Sequence, residues 1–129
     1  MTVVLLSGGA GAAMAAPVDT AGPQADRTIQ AACLNTAKTF TSTPGSGSSN
    51  AHWPATGTYE YTTSNCADIN LKLTQTRRVR TCFKATGACN GFRTLTAGAW
   101  GLAATDVKDN SGFYIQFEGT AQAKGQIAY

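Results

Sequence analysis

The sequence has a single histidine, no C-x-x-C pair, no glycine-rich phosphate loop and no run of five basic residues, and each gap closes off a class of function. One imidazole does not supply the closely spaced nitrogen and thiolate ligands of a zinc site, and six residues separate the closest cysteines, Cys82 and Cys89. Thioredoxin-type exchange, haem attachment and phosphate cradling lack their motifs. Charged residues make up only 13% of the chain and the net charge is +3, so a counterion-releasing nucleic-acid surface is not expected. The apolar stretch that starts at Val3-Val4-Leu5-Leu6 soon dissolves into Gly and Ala, too short and too Gly-rich to span a bilayer. No metal, cofactor, nucleic acid or membrane span is expected.

What is present describes a chain that folds. Hydrophobic residues reach 43% and Thr, Ala, Gly and Ser are abundant, over a length of 129 residues that suits one domain with one core. The first residues read as the end of an export signal, with a small-x-small cleavage site at Ala13-Met14-Ala15 and a mature start near Ala16-Pro17. No Lys or Arg precedes Arg27, which leaves either a basic start upstream of Met1 or no signal at all, and the well-formed cleavage pattern favours the first. Residues 1–15 are therefore assigned to a signal remnant. Residues 16–32, with Pro17, Gly22 and Pro23 and few large apolar groups, read as a flexible arm, and residues 33–129 as a single domain.

Four cysteines, Cys33, Cys66, Cys82 and Cys89, form an even set in an exported chain, which favours two disulfides. Residues 69–74 alternate apolar and polar, residues 79–83 resume the pattern, and the two runs read as an antiparallel hairpin. In that register Cys66 is offset from Cys82 by roughly 10 Å, beyond disulfide reach. A turn over residues 84–87 instead sets Cys82 opposite Cys89. The expected pairs are Cys82–Cys89 and Cys33–Cys66.

Residues 26–40 fit either a helix capped by Asp26 or a strand near Phe40. Residues 43–50, rich in Ser and Gly, read as a flexible polar loop followed by His52-Trp53-Pro54. Beyond them come short strand-like runs separated by turn clusters at Ala97-Gly98, Asp109-Asn110-Ser111-Gly112 and Gly119. Phe113, Ile115 and Phe117 share one face and Tyr114, Gln116 and Glu118 the other. The expected fold is all-β, a small disulfide-stabilised β-sandwich with a flexible N-terminal arm.

No catalytic set converges. His52 has no nucleophile-elbow serine to serve and reads as an exposed loop residue. Glu60 and Glu118 supply the two carboxylates of a glycosidase, yet outward strand positions explain both. Asp106, Asp109 and Asn110 fail calcium-loop spacing and read as a hairpin turn. Binding features are better defined. Arg78, Arg80 and Lys84 lie on one side of a strand, with Arg93 brought near by the Cys82–Cys89 hairpin, as a basic stripe toward a partner or a solvated outer face. Trp53, Tyr59 and Tyr61 offer an aromatic platform or cover one end of the core, and His52 stands beside them.

The order Cys33, Ser64-Asn65-Cys66, Arg78-Val79-Arg80-Thr81-Cys82-Phe83, Cys89 and aromatic C-terminal strands resembles small exported proteins of actinobacteria. In size and layout, from Cys33 to Tyr129, it resembles the bridging adaptor subunit of umbrella toxin particles, a β-rich protein joining a stalk protein to lectin-bearing subunits. That resemblance carries no short diagnostic motif. It implies a non-enzymatic adaptor bridging other exported proteins, with residues 17–32 and 43–55 matching its two contact segments by position. A competing resemblance is to small secreted hydrolase inhibitors on two-disulfide sandwiches, although the Trp-Arg-Tyr triplet of amylase inhibitors is absent. A carbohydrate-binding module is the third reading.

Overall fold

The structure, a computed structural model, describes residues 30–129. The chain divides into Met1–Ala32 and Cys33–Tyr129, and the fold is that of the second unit. The expected signal remnant and nearly all of the expected arm lie outside the described residues. Residues 30–34 are helical and Lys38–Thr41 is a strand, so both readings of this ambiguous stretch apply in succession. The helix stops where Thr36 turns its amide and hydroxyl onto the Cys33 carbonyl, at 3.0 and 2.6 Å.

Among the described residues nine strands follow one another: β1 (Lys38–Thr41), β2 (Ala51–Trp53), β3 (Glu60–Tyr61), β4 (Ile69–Leu73), β5 (Arg77–Phe83), β6 (Arg93–Leu95), β7 (Trp100–Ala104), β8 (Gly112–Phe117) and β9 (Lys124–Ala128). They form two antiparallel sheets, one ordered β1-β9-β4-β7 and the other β2-β8-β5-β6, with β3 also paired to β8. This is the two-layer all-β sandwich expected from the alternating runs. Among the described residues no helix is long and apolar enough to cross a membrane.

Alternation decides which atoms meet between the layers. On β8, Phe113, Ile115 and Phe117 are fully buried while Tyr114 and Gln116 are half-exposed. They face Val79 and Thr81 of β5 within their own sheet's inner surface and Phe40, Leu71, Leu73 and Ile127 from the other layer. Burying each such aliphatic or aromatic side chain contributes about 1.5–3 kcal/mol. Thr81, also fully buried, donates its hydroxyl to the Ala103 carbonyl at 3.2 Å, so the one hydroxyl among these groups is satisfied across the layers. Gly101 lets the sheets close at one edge, because a Cβ there would stand 2.8 Å from Leu95 Cδ2.

Both disulfides join the expected partners, Cys33–Cys66 and Cys82–Cys89, with Cα separations of 4.8 and 3.9 Å, and no cysteine is free. Residues 69–74 and 79–83, however, do not make the expected hairpin: β4 pairs with β9 and β7, and β5 with β8 and β6. Alternation specifies a strand's faces but not its neighbour. Residues 74–76 lack Gly or Asn, and none of them adopts the positive φ of a two-residue hairpin turn. The chain crosses to the opposite sheet instead, so hairpin register supplies no ground against a Cys66–Cys82 pair. The link between β7 and β8 also changes sheet, with Asp106 and Asn110 in left-handed conformation, and is not the hairpin turn expected of Asp106, Asp109 and Asn110.

Residues 43–50 fold more tightly than their composition suggests. Thr43 and His52 exchange backbone hydrogen bonds of 2.8 and 3.0 Å, and Ser46 and Ser49 close the tip around Gly47, whose φ is +59°. This segment is a hydrogen-bonded hairpin.

At one end of the core, Tyr129 packs its ring on Phe113 and Trp53 and donates its hydroxyl to Glu60 Oε1 at 2.6 Å. Burial first, and then the Glu60 carboxylate, hold this phenol above its usual value. A folded-state pKa above the unfolded one gives stability that is complete below about pH 10 and lost as pH rises, by up to about 1.4 kcal/mol per pH unit. Tyr129→Phe is accordingly expected to flatten the alkaline fall in stability between about pH 10 and 11. Urea denaturation at stepped pH checks it, and an unchanged alkaline slope would refute it.

Candidate functional site

The outer face of the five-stranded sheet is set by β8 and its two neighbours. Gln116 stands opposite His52 of β2 on one side and Arg80 of β5 on the other, which makes a transverse row of His52, Gln116 and Arg80. One step along, Tyr114 stands opposite Cys82. Beyond the end of β8, Glu118 meets Arg78 in an exposed ion pair of 2.7 Å, of the kind that contributes at most about 1 kcal/mol.

Hydrogen bonds and rings hold these groups. Arg80 donates Nε to Gln116 Oε1 at 2.7 Å and lies 4.6 Å from the centroid of Phe92, over which Arg78 also sits at 5.4 Å. Asn50 donates Nδ2 to the same Gln116 oxygen at 3.4 Å. At the far end Lys84 donates to the Tyr61 hydroxyl at 2.9 Å and lies over the rings of Tyr59 and Tyr61. That hydrogen bond, followed by the Tyr61 charge, holds the exposed Lys84 ammonium above its ordinary pKa.

Beside the row lies a groove of about 430 Å³, walled by Tyr59 and Tyr114, floored by Arg80 and Gln116 and rimmed by Asn50 and Thr56. Its aromatic wall is an edge-to-face pair with centroids 5.9 Å apart. His52 Nε2 and Thr56 Oγ1, 2.9 Å apart, fasten the rim to the floor. His52 is thus a half-buried strand residue and not the exposed loop residue its neighbourhood suggested. The hairpin over residues 43–52 places it there.

Of the residues singled out from sequence, Arg78, Arg80, Lys84 and His52 come together on this face. Trp53 does not, because its register partner is the inward Ile115, and its ring lies 5.6 Å from Phe40 and 6.3 Å from Tyr129. It covers the core. Arg93 also leaves the stripe, since it stands opposite inward-facing Val79 and donates to the Leu102 carbonyl at 3.2 Å. Sequence reasoning did not single out Tyr114, Gln116, Thr56 or Phe92 as site residues, and reached Asn50 only as part of the segment 43–55. The alternation on β8 does mark Tyr114 and Gln116 as outward, but only the strand register shows what they meet.

Glu60 and Glu118 do not form a carboxylate pair. Glu60 pairs beside inward Phe113 and accepts from Tyr129, while Glu118 lies outward, five residues or about 17 Å further along the strand direction. Glycosidase carboxyls stand about 5–9.5 Å apart. Among the described residues no group of three or more His, Cys, Asp and Glu side chains is placed to hold a metal ion. Comparison of the chain with protein-family models, with curated proteins and with solved structures finds no match.

Proposed function

We propose that this chain is an exported, non-enzymatic binding protein that bridges other exported proteins, with the outer face of the five-stranded sheet as one of its contact surfaces. The observation that carries this reading is the gathering of Arg78, Arg80 and Lys84 with Tyr59, Tyr61, Tyr114 and Phe92 on that face. Arginine and tyrosine are the residue types that dominate protein interfaces energetically. Three cations against the single carboxylate of Glu118 favour a partner with an acidic surface. Two disulfides accord with an oxidising compartment, hence with export. Stalk and lectin-type subunits are the partners that the adaptor resemblance brings forward.

The test is affinity purification of the secreted chain from its native culture, in wild-type form, as Arg78→Gln with Lys84→Gln, and as Leu102→Gln. Leu102 is exposed on the other sheet, which makes it the control. Wild type and Leu102→Gln are expected to retain an acidic partner in a salt-sensitive complex, and the double variant to bind it about tenfold more weakly. A chain that emerges alone and monomeric, or a double variant that keeps its partner at full strength, refutes the reading.

A further inference from the structure

We infer that the groove beside Arg80 is a carboxylate pocket that receives one aspartate or glutamate side chain of the partner. This rests on the protein-binding reading above and names the chemical group that the face recognises. The Arg80 guanidinium is held at Nε by Gln116 and lies over the Phe92 ring, while its two Nη groups have no hydrogen-bond partner among the described residues. A guanidinium fixed in this way offers its remaining donors as a fork, the geometry that matches both oxygens of a carboxylate.

Gln116 adds a second donor. Its oxygen accepts from both Arg80 and Asn50, and its amide NH₂ has no partner among the described residues. The groove lining includes no Asp or Glu, so nothing within it competes for Arg80, and the neighbouring Glu118 is taken by Arg78. Tyr59 and Tyr114 supply an apolar wall for the methylene groups of an acidic side chain. The volume of about 430 Å³ exceeds one such side chain, which leaves room for adjoining backbone. Because β2, β5 and β8 carry the row in fixed register, little ordering is left to be done on binding.

The experiment is a ¹⁵N-resolved NMR titration of the full chain with N-acetylglutamate N-methylamide, its glutamine counterpart and glucuronate. Expected are saturable shifts at Arg80 Nε, the Gln116 side-chain amide and Tyr114 with the glutamate compound, at least tenfold weaker binding of the glutamine compound, and no tighter binding of glucuronate. Arg80→Lys should weaken the glutamate response at least tenfold with the spectrum otherwise dispersed as in wild type, and Leu102→Gln, on the other sheet, should leave it within twofold. Equal response to the glutamine compound, no response at these residues, or tighter binding of glucuronate overturns the carboxylate-side-chain pocket. If the pocket fails while the Arg78/Lys84 variant still loses its partner, the binding face stands without it. If the titration succeeds and the chain has no partner, the adaptor reading falls instead.

Discussion

Phe117→Ala is expected to lower the unfolding free energy by about 3–5 kcal/mol, a large share of the roughly 5–15 kcal/mol that a domain of this size has to lose. The side chain is fully buried near the end of β8, with Val79 and Ala51 beside it in the sheet and Phe40 stacked against it from the facing layer at 5.8 Å and 16°. The Arg77 guanidinium lies 5.7 Å from the ring centroid, held by the carbonyls of Ala121 and Glu118 at 3.0 Å each. Truncation therefore empties a volume bounded by two sheets and a pinned cation, none of which is free to collapse into it. Gln116→Ala, one residue away on the outer face, should cost only about 1 kcal/mol, for the hydrogen bond to Arg80. Urea denaturation at constant m-value compares the two. A loss below about 1.5 kcal/mol for Phe117→Ala would mean that the layers do not close on this ring.

The same strand shows how far a sequence reaches. Phe113, Ile115 and Phe117 announce an inner face by period alone, because a pleated strand sends alternate side chains to opposite sides whatever its neighbour. Period says nothing of which strand lies alongside. Residues 69–74 and 79–83 therefore lie in different sheets despite their shared pattern, and Arg93 leaves the basic stripe for a related reason, since its place depends on its register against Val79. The Gly- and Ser-rich neighbourhood of His52 points to a loop, whereas Thr43 and Gln116 make it a strand residue through backbone pairing. The groove draws on residues between Ser48 and Tyr59, on Arg80, and on Tyr114 and Gln116, three stretches that no local pattern ties together. By contrast, the Cys82–Cys89 pair was legible because its turn is local, and Phe83 and Ala88 close it with a 2.9 Å backbone bond.

Replacing Cys33 and Cys66 by alanine is expected to cost about 4 kcal/mol, against about 2.4 kcal/mol for the same change at Cys82 and Cys89. The sequence separations are 33 and 7, and in the chain-entropy model loops of those sizes correspond to about 3.7 and 2.4 kcal/mol. Packing widens the gap. Cys33 and Cys66 are almost fully buried with Ala128, against Leu34, Ala37 and Trp100, and this cluster covers β4 where Asn70 is buried. Removing the sulfurs loosens that cover, and water reaches an amide that now donates to the carbonyls of Asp68 and Ala128. The shorter loop has less to release, because its turn keeps backbone bonds from Gly87 to Phe83 and from Asn90 to Thr81, each 2.9 Å, without the sulfur bridge. Trp100 gives an independent readout: in a Trp53→Phe background its emission should shift to the red for the Cys33/Cys66 variant below the unfolding transition and stay unchanged for the Cys82/Cys89 variant. A Trp100 that responds to neither would show that the Cys33–Cys66 bridge closes a chain loop without covering the sheet, and equal destabilisation by the two pairs would refute the loop-length argument as well.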